Sequence, residues 1–489
     1  MLEKKSDLNA NQASHNAQQQ CIARLLQAFL REQLLAVVAH NDKFIMPLPQ
    51  PHGLLQLEHF TTSSLAHVEI QGAVFYLAPS QATPKQIVNV MELLAIIESA
   101  LAPQLDLQRW QHFVKEIANH ITNSTLSYEN AKSRNATLTA TMTKAGHDNL
   151  YQWLNEKGDP HNKSLFFEQW VSHGHPYHPC SKTKLGLSPQ EVIRYSPEFR
   201  QHTDIYIAAL HRDAIHIETM ETGLFYCDWF FDYFPNIKMP WLLQLKLHKL
   251  DPNHYLPLPI HPWQATHEIR NRFASLIASR YLHIFDNVTM PTNPTLSFRT
   301  VAPVASSRQP HIKLPVAVQT TSAIRTVSPA STENGPKISK FLKIILQQEY
   351  YFQGYLRCMF EFVGLHVTGY DDQTAKHLSV IFRDNVTNCL NNDETGIVVA
   401  ALFERTPIAE VPLFIEIMQS AGVKSLDDAK DYVHRYANMV LSSYLDLYLL
   451  YGVALEAHQQ NTIAVFQHGE PVATIARDFG GLRLHLPTF

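Results

Sequence analysis

The oxygen-bearing side chains of EAHQQNTIAVFQHGEPVATIARDFGG (456–481) are spaced for a divalent metal. TIAVFQ and VATIAR are β-prone runs, and His-Gly-Glu-Pro between them predicts a four-residue hairpin loop. Pairing Gln467 with Val472 sets Asn461 opposite Asp478, with Cβ atoms about 5 Å apart. Glu456 and His458 lie just before, where a helix is expected to end. Glu, Asn and Asp donors with no competing thiolate suit Mg2+ on nucleotide phosphates. The ligand-free alternative is a helix end stapled to a hairpin by Asn and Asp hydrogen bonds. Asp478-Phe479-Gly480 spells the DFG of protein kinases, which also hold Mg2+ with an Asn and an Asp. No kinase Gly-rich loop, HRD or Walker A accompanies it. A kinase-like phosphotransferase is therefore an alternative reading.

A second cluster is VSHGHPYHPCSKTKLG (171–186). Pro176 and Pro179 stiffen a loop that presents His173, His175 and His178, with Lys182 and Lys184 behind. Donors of this kind suit phosphate or carboxylate. Zinc is a lesser alternative, because the lysines repel a cation and no carboxylate lies near to orient the rings. A third cluster is basic. PTLSFRTV (294–301) alternates, which predicts a strand with Ser297, Arg299 and Val301 on one face and Phe298 and Thr300 on the other. HIKLPVAVQTTSAIRTVSP (311–329) adds Lys313, Thr320, Thr321 and Arg325 on strands and their turn. Arg forks beside Ser and Thr donors fit a polyphosphate or a polycarboxylate. LPIHPWQ (258–264) reads equally well as a rigid structural turn with Trp263 buried and His261 bonded to backbone.

These groups need a scaffold, and 489 residues with 45% hydrophobic and 17% charged side chains can build one. A net charge of −4 argues against a constitutive nucleic-acid or anionic-membrane binder. Five scattered cysteines form no disulfide framework and fit a reducing cytoplasm. No run approaches the roughly 18 apolar residues of a membrane span. The polar stretch 1–20 is expected to be a disordered leader. Residues 21–155 form an N-terminal α/β lobe. It includes a helix from 21, a capping box at Thr83 to Gln86 opening a helix to Leu101, and helices near 106–122 and 127–144. Residues 156–330 are β-rich. Residues 331–489 are helical, with helix expected over 337–366 and from a capping box at Ser425 to about His458.

The motifs GHPYHPCSKTKLG, LPIHPWQ, SFRT, KLPVAVQTTSAIRT, EAHQQN and RDFGG, in this order over about residues 170–481, resemble the NRPS-independent siderophore synthetases of the IucA/IucC family. The resemblance implies an α/β (α+β) fold of thumb-like (21–155), fingers-like (156–330) and palm-like (331–489) lobes with mostly antiparallel sheets, usually dimeric. It implies two-step chemistry. ATP adenylates a carboxylate, commonly citrate or a derivative, and an amine, hydroxylamine or alcohol then displaces AMP. Carried over by motif, Ser297, Arg299, Thr300 and Lys313 contact ATP. His175 and Arg325 touch phosphate and carboxylate, and Thr321 and His458 hold the carboxylate. Glu456, Asn461 and Asp478 bind Mg2+, and Lys182 belongs to the histidine-loop motif. Family members usually continue about a hundred residues past RDFGG. A form short at the C-terminus is therefore expected, with an inactive paralogue that still binds nucleotide or citrate as a further alternative.

Overall fold

Short runs of Val, Ile, Thr and aromatic residues become strands paired almost wholly antiparallel, and the fold is α+β, 45% helix and 23% strand. The computed structural model describes residues 2–40, 43–63, 67–306, 308–321, 323–352 and 354–488, with side chains for all of these except 2–11, 160, 161 and 351. The chain divides into two compact units built from interleaved segments, where the sequence suggested three consecutive lobes. One comprises Met1–Arg134, Ser172–Val192 and Val318–Ala323, and the other Asn135–Val171, Ile193–Ala317 and Ile324–Phe489.

In the first unit a five-stranded meander between Val38 and Ile87 packs with the helices Leu2–Arg31 and Val90–Leu101 around Leu25, Leu26, Leu55, Val74 and Leu93. The expected leader is helical instead. Ala13, Ala17 and Cys21 recur every fourth residue and are 6%, 1% and 0% exposed, so the Asn/Gln-rich tract carries an apolar seam. Met1 and the side chains of 2–11 lie outside the described residues. Lys85–Ile87 pairs as a strand with Val74–Tyr76. The helix therefore starts later than the Thr83 box implied, at Val90, where Asn89 accepts the Met91 N–H at 2.8 Å. The two helices expected near 106–144 are one, Leu107–Lys144. Its polar middle bonds back into its own turns, Thr122 Oγ1 to the Ala118 carbonyl and Thr125 Oγ1 to that of Ile121.

The second unit is built on a nine-stranded antiparallel sheet. The strands that matter lie side by side in the order Glu361–Val367, Ser379–Arg383, His311–Lys313, Thr300–Pro303, Thr289–Pro294. Directly paired residues share a face, and residues two apart along a strand do too. Val301, Ile312, Phe382 and Val363 therefore face a core in which Phe230 and Phe234 meet the Phe382 ring at 6.0 and 6.4 Å. Thr300, His311, Lys313 and Arg383 take the opposite face, and a bulge between Glu361 and Val363 lets Glu361, paired with Arg383, join them. The helix Pro329–Gln348 crosses there at Gly364, where a Cβ would lie 1.9 Å from the Thr332 carbonyl oxygen. A four-stranded sheet carries the hairpin Thr462–Gln467 and Glu470–Ala476.

The helix expected over 337–366 ends at Gln348, and Leu356–Cys358 and Glu361–Val367 are strands, the second buried on both sides. The Ser425 capping box is present, with Asp428 as its partner. Its helix stops at Tyr451, before His458, because Gly452 turns left-handed at φ 64°. Among the described residues no helix is long and apolar enough to cross a membrane.

Candidate functional site

The polar face of the large sheet is a row of buried charges. Lys313 and Glu361 are 4% and 1% exposed and Arg383 is 2% exposed. Lys313 Nζ lies 2.6 Å from Asp478 Oδ1, joining two motifs 165 residues apart. Burial acts to raise the Asp478 carboxyl. Lys313, Arg299 and Arg383 outweigh it and hold Asp478 well below the usual carboxylate range. Arg299 and Arg325 are both lowered by burial and sustained by the charges of Asp478 and Glu456. The sequence-predicted residues Arg299, Lys313, Arg325, Glu456 and Asp478 thus share one electrostatic neighbourhood.

The local frame differs from the expected strand at 294–301. The strand ends at Pro294, and Ser297 and Arg299 lie in a turn closed by Thr295 and Thr300, whose N–H groups donate to the Thr300 and Ser297 carbonyls at 2.9 and 2.6 Å. Alternation therefore does not apply to Ser297 and Arg299, while Thr300 pairs with Lys313. Arg299 Nη1 donates to the Thr326 carbonyl, and its buried Nε has no hydrogen-bond partner among the described residues. Lys313 sits on a three-residue strand, and the segment after it is not a strand until Gln319.

The hairpin is also re-registered. Its turn is the two-residue His468-Gly469, both left-handed at φ 53° and 88°, and a bulge follows Val465. Asn461 therefore faces Arg477, whose N–H donates to its carbonyl at 3.1 Å, and Asp478 is one residue further on. Asp478 itself is left-handed, φ 67°, which re-aims its side chain. Glu456 and His458 are exposed in the turn before Asn461, and Asn461 Nδ2 lies 3.2 Å from His458 Nε2. No three His, Cys, Asp or Glu side chains converge as a metal cage among the described residues.

In the first unit, Arg24 grips the His173 carbonyl and Ser181 Oγ, and Asn123 grips the Lys182 carbonyl. His175 Nδ1 accepts the N–H groups of Tyr177 and His178 at 3.2 and 3.1 Å. That places the proton of the neutral ring on Nε2, an assignment made from hydrogen bonding. Lys182 and Lys184 are 6% and 8% exposed. Burial above all, and then the charges of Arg24 and Lys182, push the nearby His120 down to about 3; Arg24, Lys182 and Lys184 are the cations gathered at this loop. Thr321, also in this unit, is left-handed at φ 53°.

LPIHPWQ is structural. His261 is 1% exposed and accepts the Trp263 N–H, and burial pushes its ring down to about 3. Gln264 clamps the segment after Lys313, accepting the Ala317 N–H and donating to the His377 carbonyl.

The profile of the IucA / IucC family matches residues 163–404, and that of the ferric iron reductase FhuF-like transporter family matches residues 430–488. An uncharacterized protein, y4xN, of Sinorhizobium fredii is 31% identical over 98% of this chain and 77% of its own length. This chain belongs to the IucA/IucC family. Staphyloferrin A synthase of Staphylococcus aureus is 28% identical over 89% of this chain and 72% of its own length. D-ornithine–citrate ligase of the same organism is 29% identical over 78% and 58%. In fold, the chain is similar to the petrobactin biosynthesis protein AsbB of Bacillus anthracis (TM-score 0.79, 18% identity, 98% of this chain and 75% of that one). It is similar also to the aerobactin synthetase IucC of Klebsiella pneumoniae (TM-score 0.76, 20% identity, 97% and 79%). The IucA/IucC chain is thus a ligase of the siderophore-synthetase kind.

The family member carries four site residues that sequence reasoning missed. Glu361 has both carboxylate oxygens buried with no side-chain donor among the described residues, the Phe479 N–H being the backbone group that acts on it, and burial pushes it up to about 7. Arg383, beside it, is lowered to about 10 by burial. Arg477 and Glu168 form a buried two-pronged ion pair, 2% and 6% exposed, and Glu168 also accepts the Leu296 N–H at 2.9 Å. Glu361 was hidden by its assignment to a helix. Arg477 stood inside RDFGG, and its neighbour Asp478 drew the attention.

Proposed function

We propose that the chain uses ATP to adenylate a carboxylate, citrate or a citrate derivative, and passes the acyl group to an amine, hydroxylamine or alcohol. The observation that carries this reading is the Lys313–Asp478 contact, which puts a phosphate-type cation and a metal-type carboxylate at one point. Relatives whose names include a citrate ligase and a citryl-spermidine ligase support the choice of acid.

In the first step a carboxylate oxygen bonds to the α-phosphorus while the bridge to the β-phosphate breaks and pyrophosphate leaves. Two anions must meet, so Lys313, Arg299 and Arg325 serve by lowering their repulsion and stabilising charge on the five-coordinate phosphorus. Thr300 and Ser297 would add neutral donors at the same turn. Asp478, Glu456 and the Asn461 amide are hard oxygen donors suited to Mg2+, which would neutralise phosphate charge and orient the leaving group. An ionised Asp478 at neutral pH fits that role, and phosphate and water would complete such a shell. His458, exposed beside Asn461, is the proposed carboxylate contact. His175, Lys182 and Thr321 are proposed as anion-binding groups on the strength of their motif and the cationic loop, each to be tested singly. In the second step the nucleophile's nitrogen or oxygen attacks the acyl carbon, AMP leaves and the nucleophile loses its proton. We also propose a homodimer, which light scattering would check.

The test is a hydroxylamine-trapping screen across carboxylic acids with ATP and Mg2+, scored by hydroxamate and pyrophosphate. Citrate-dependent pyrophosphate release supports the reading. ADP as product, or no trapping with any di- or tricarboxylate, removes it.

A further inference from the structure

Resting on the ATP and metal roles just proposed, we infer that Glu361 is a positioning residue, the second seat of the Lys313 ammonium, taken when a divalent cation claims Asp478. Lys313 now lies on Asp478 Oδ1 at 2.6 Å, with its side chain 5% exposed. A cation arriving at Asp478 repels that ammonium. Lys313 cannot withdraw into bulk water from so buried a position, so it needs a second acceptor inside the protein.

Glu361 offers one. It stands two strands from Lys313 on the same face, across Ser379–Arg383. It is 1% exposed, no side chain donates to either oxygen among the described residues, and the backbone donor that acts on it is the Phe479 N–H, next to Asp478. Lys313 is the strongest attraction acting on it, ahead of Arg383. A carboxylate kept only for structure would have more of its lone pairs filled, as those of Glu168 are by Leu296 and Arg477.

The backbone is shaped around this carboxylate. The Glu361 N–H donates to Ser339 Oγ at 2.8 Å, fixing where its side chain starts. Gly335 lies mid-helix, and a Cβ there would come 2.2 Å from Glu361 Oε2. Glycine inside a helix weakens it. Here the missing methyl leaves the carboxylate room. With Glu361 as counter-charge, Lys313 stays on the ligand face of the sheet, able to meet a phosphate while Asp478 is occupied. Glu361 therefore acts through Lys313 and need touch neither nucleotide nor metal.

The experiment is a Mg2+ titration of ATP binding to the full chain, read by calorimetry without turnover, for the unaltered protein, Glu361→Gln, Lys313→Met, the double variant and Gly335→Ala. In Glu361→Gln the Mg2+ concentration for half-maximal ATP binding rises about tenfold, because Lys313 stays committed to Asp478. Gly335→Ala, which crowds the carboxylate, shifts it the same way, so the test does not depend on one variant folding. In the Lys313→Met background, Glu361→Gln changes nothing further. An unchanged midpoint in Glu361→Gln, or the same shift surviving without Lys313, overturns the proposal and leaves the function standing. Absence of Mg2+-dependent ATP binding in the unaltered chain removes both.

Discussion

Replacing Glu361 with Gln should make the protein more stable, and by an amount that depends on pH. Burial pushes this carboxyl from 4.5 to about 7, so ionising it inside the protein costs more than ionising it in the unfolded chain. The sign is the reverse of an ordinary salt-bridged acid: stability is lost as pH rises from the unfolded value through the folded one. The gap is worth on the order of 3 kcal/mol once both states are ionised, near pH 8, and about 1 kcal/mol at pH 5. Gln has nearly the same shape and no charge, so the variant escapes this cost. Denaturant midpoints of the two proteins should therefore sit close at pH 5 and separate by pH 8, with Glu361→Gln the more resistant. A separation that stays constant with pH, or a variant weaker at pH 8, would mean that Lys313 and Arg383 compensate the charge fully, and the reasoning would fail.

Glu168→Ala strands Arg477 in the interior and should cost about 3–5 kcal/mol, measured by chemical denaturation. Arg299→Ala and Arg325→Ala should each cut citrate-dependent pyrophosphate release by about 10²–10³-fold with unchanged circular dichroism; wild-type rates in both would contradict the site. Asp478→Ala should abolish the Mg2+ dependence of ATP binding, and unaltered nucleotide affinity would count against it. Because Asp478 is held below the usual range, its ion pair contributes above about pH 4 and is lost as pH falls further. Asp478→Asn should accordingly flatten the acid limb of the stability curve.

Local signals carried much of this molecule. The Ser425 box has an explicit chemical grammar and appears as written. The basic residues between 297 and 325 were legible because so many cations in a short span that holds no Asp or Glu have few structural uses. What failed was set at longer range. The hairpin register slipped by one because a two-residue turn at His468-Gly469 and a bulge after Val465 both fit a sequence that also permits a four-residue loop. Glu361 was invisible because 356–367 is apolar and Gly-interrupted, a texture that a buried strand shares with a core helix. Its meaning depends on strand order, which sets Lys313 two strands away on the same face. The Asn/Gln-rich start misled for a related reason, since among its described residues the buried ones are the spaced alanines Ala13 and Ala17.

One carboxylate, that of Glu168, holds the Leu296 amide at the head of the arginine turn and the guanidinium of Arg477 beside Asp478. The turn and the hairpin end are therefore a single mechanical part assembled from three distant stretches of chain. Whoever grafts a relative's hairpin onto this scaffold to change its ligand must transplant position 168 with it, or the graft will arrive with its anchor missing.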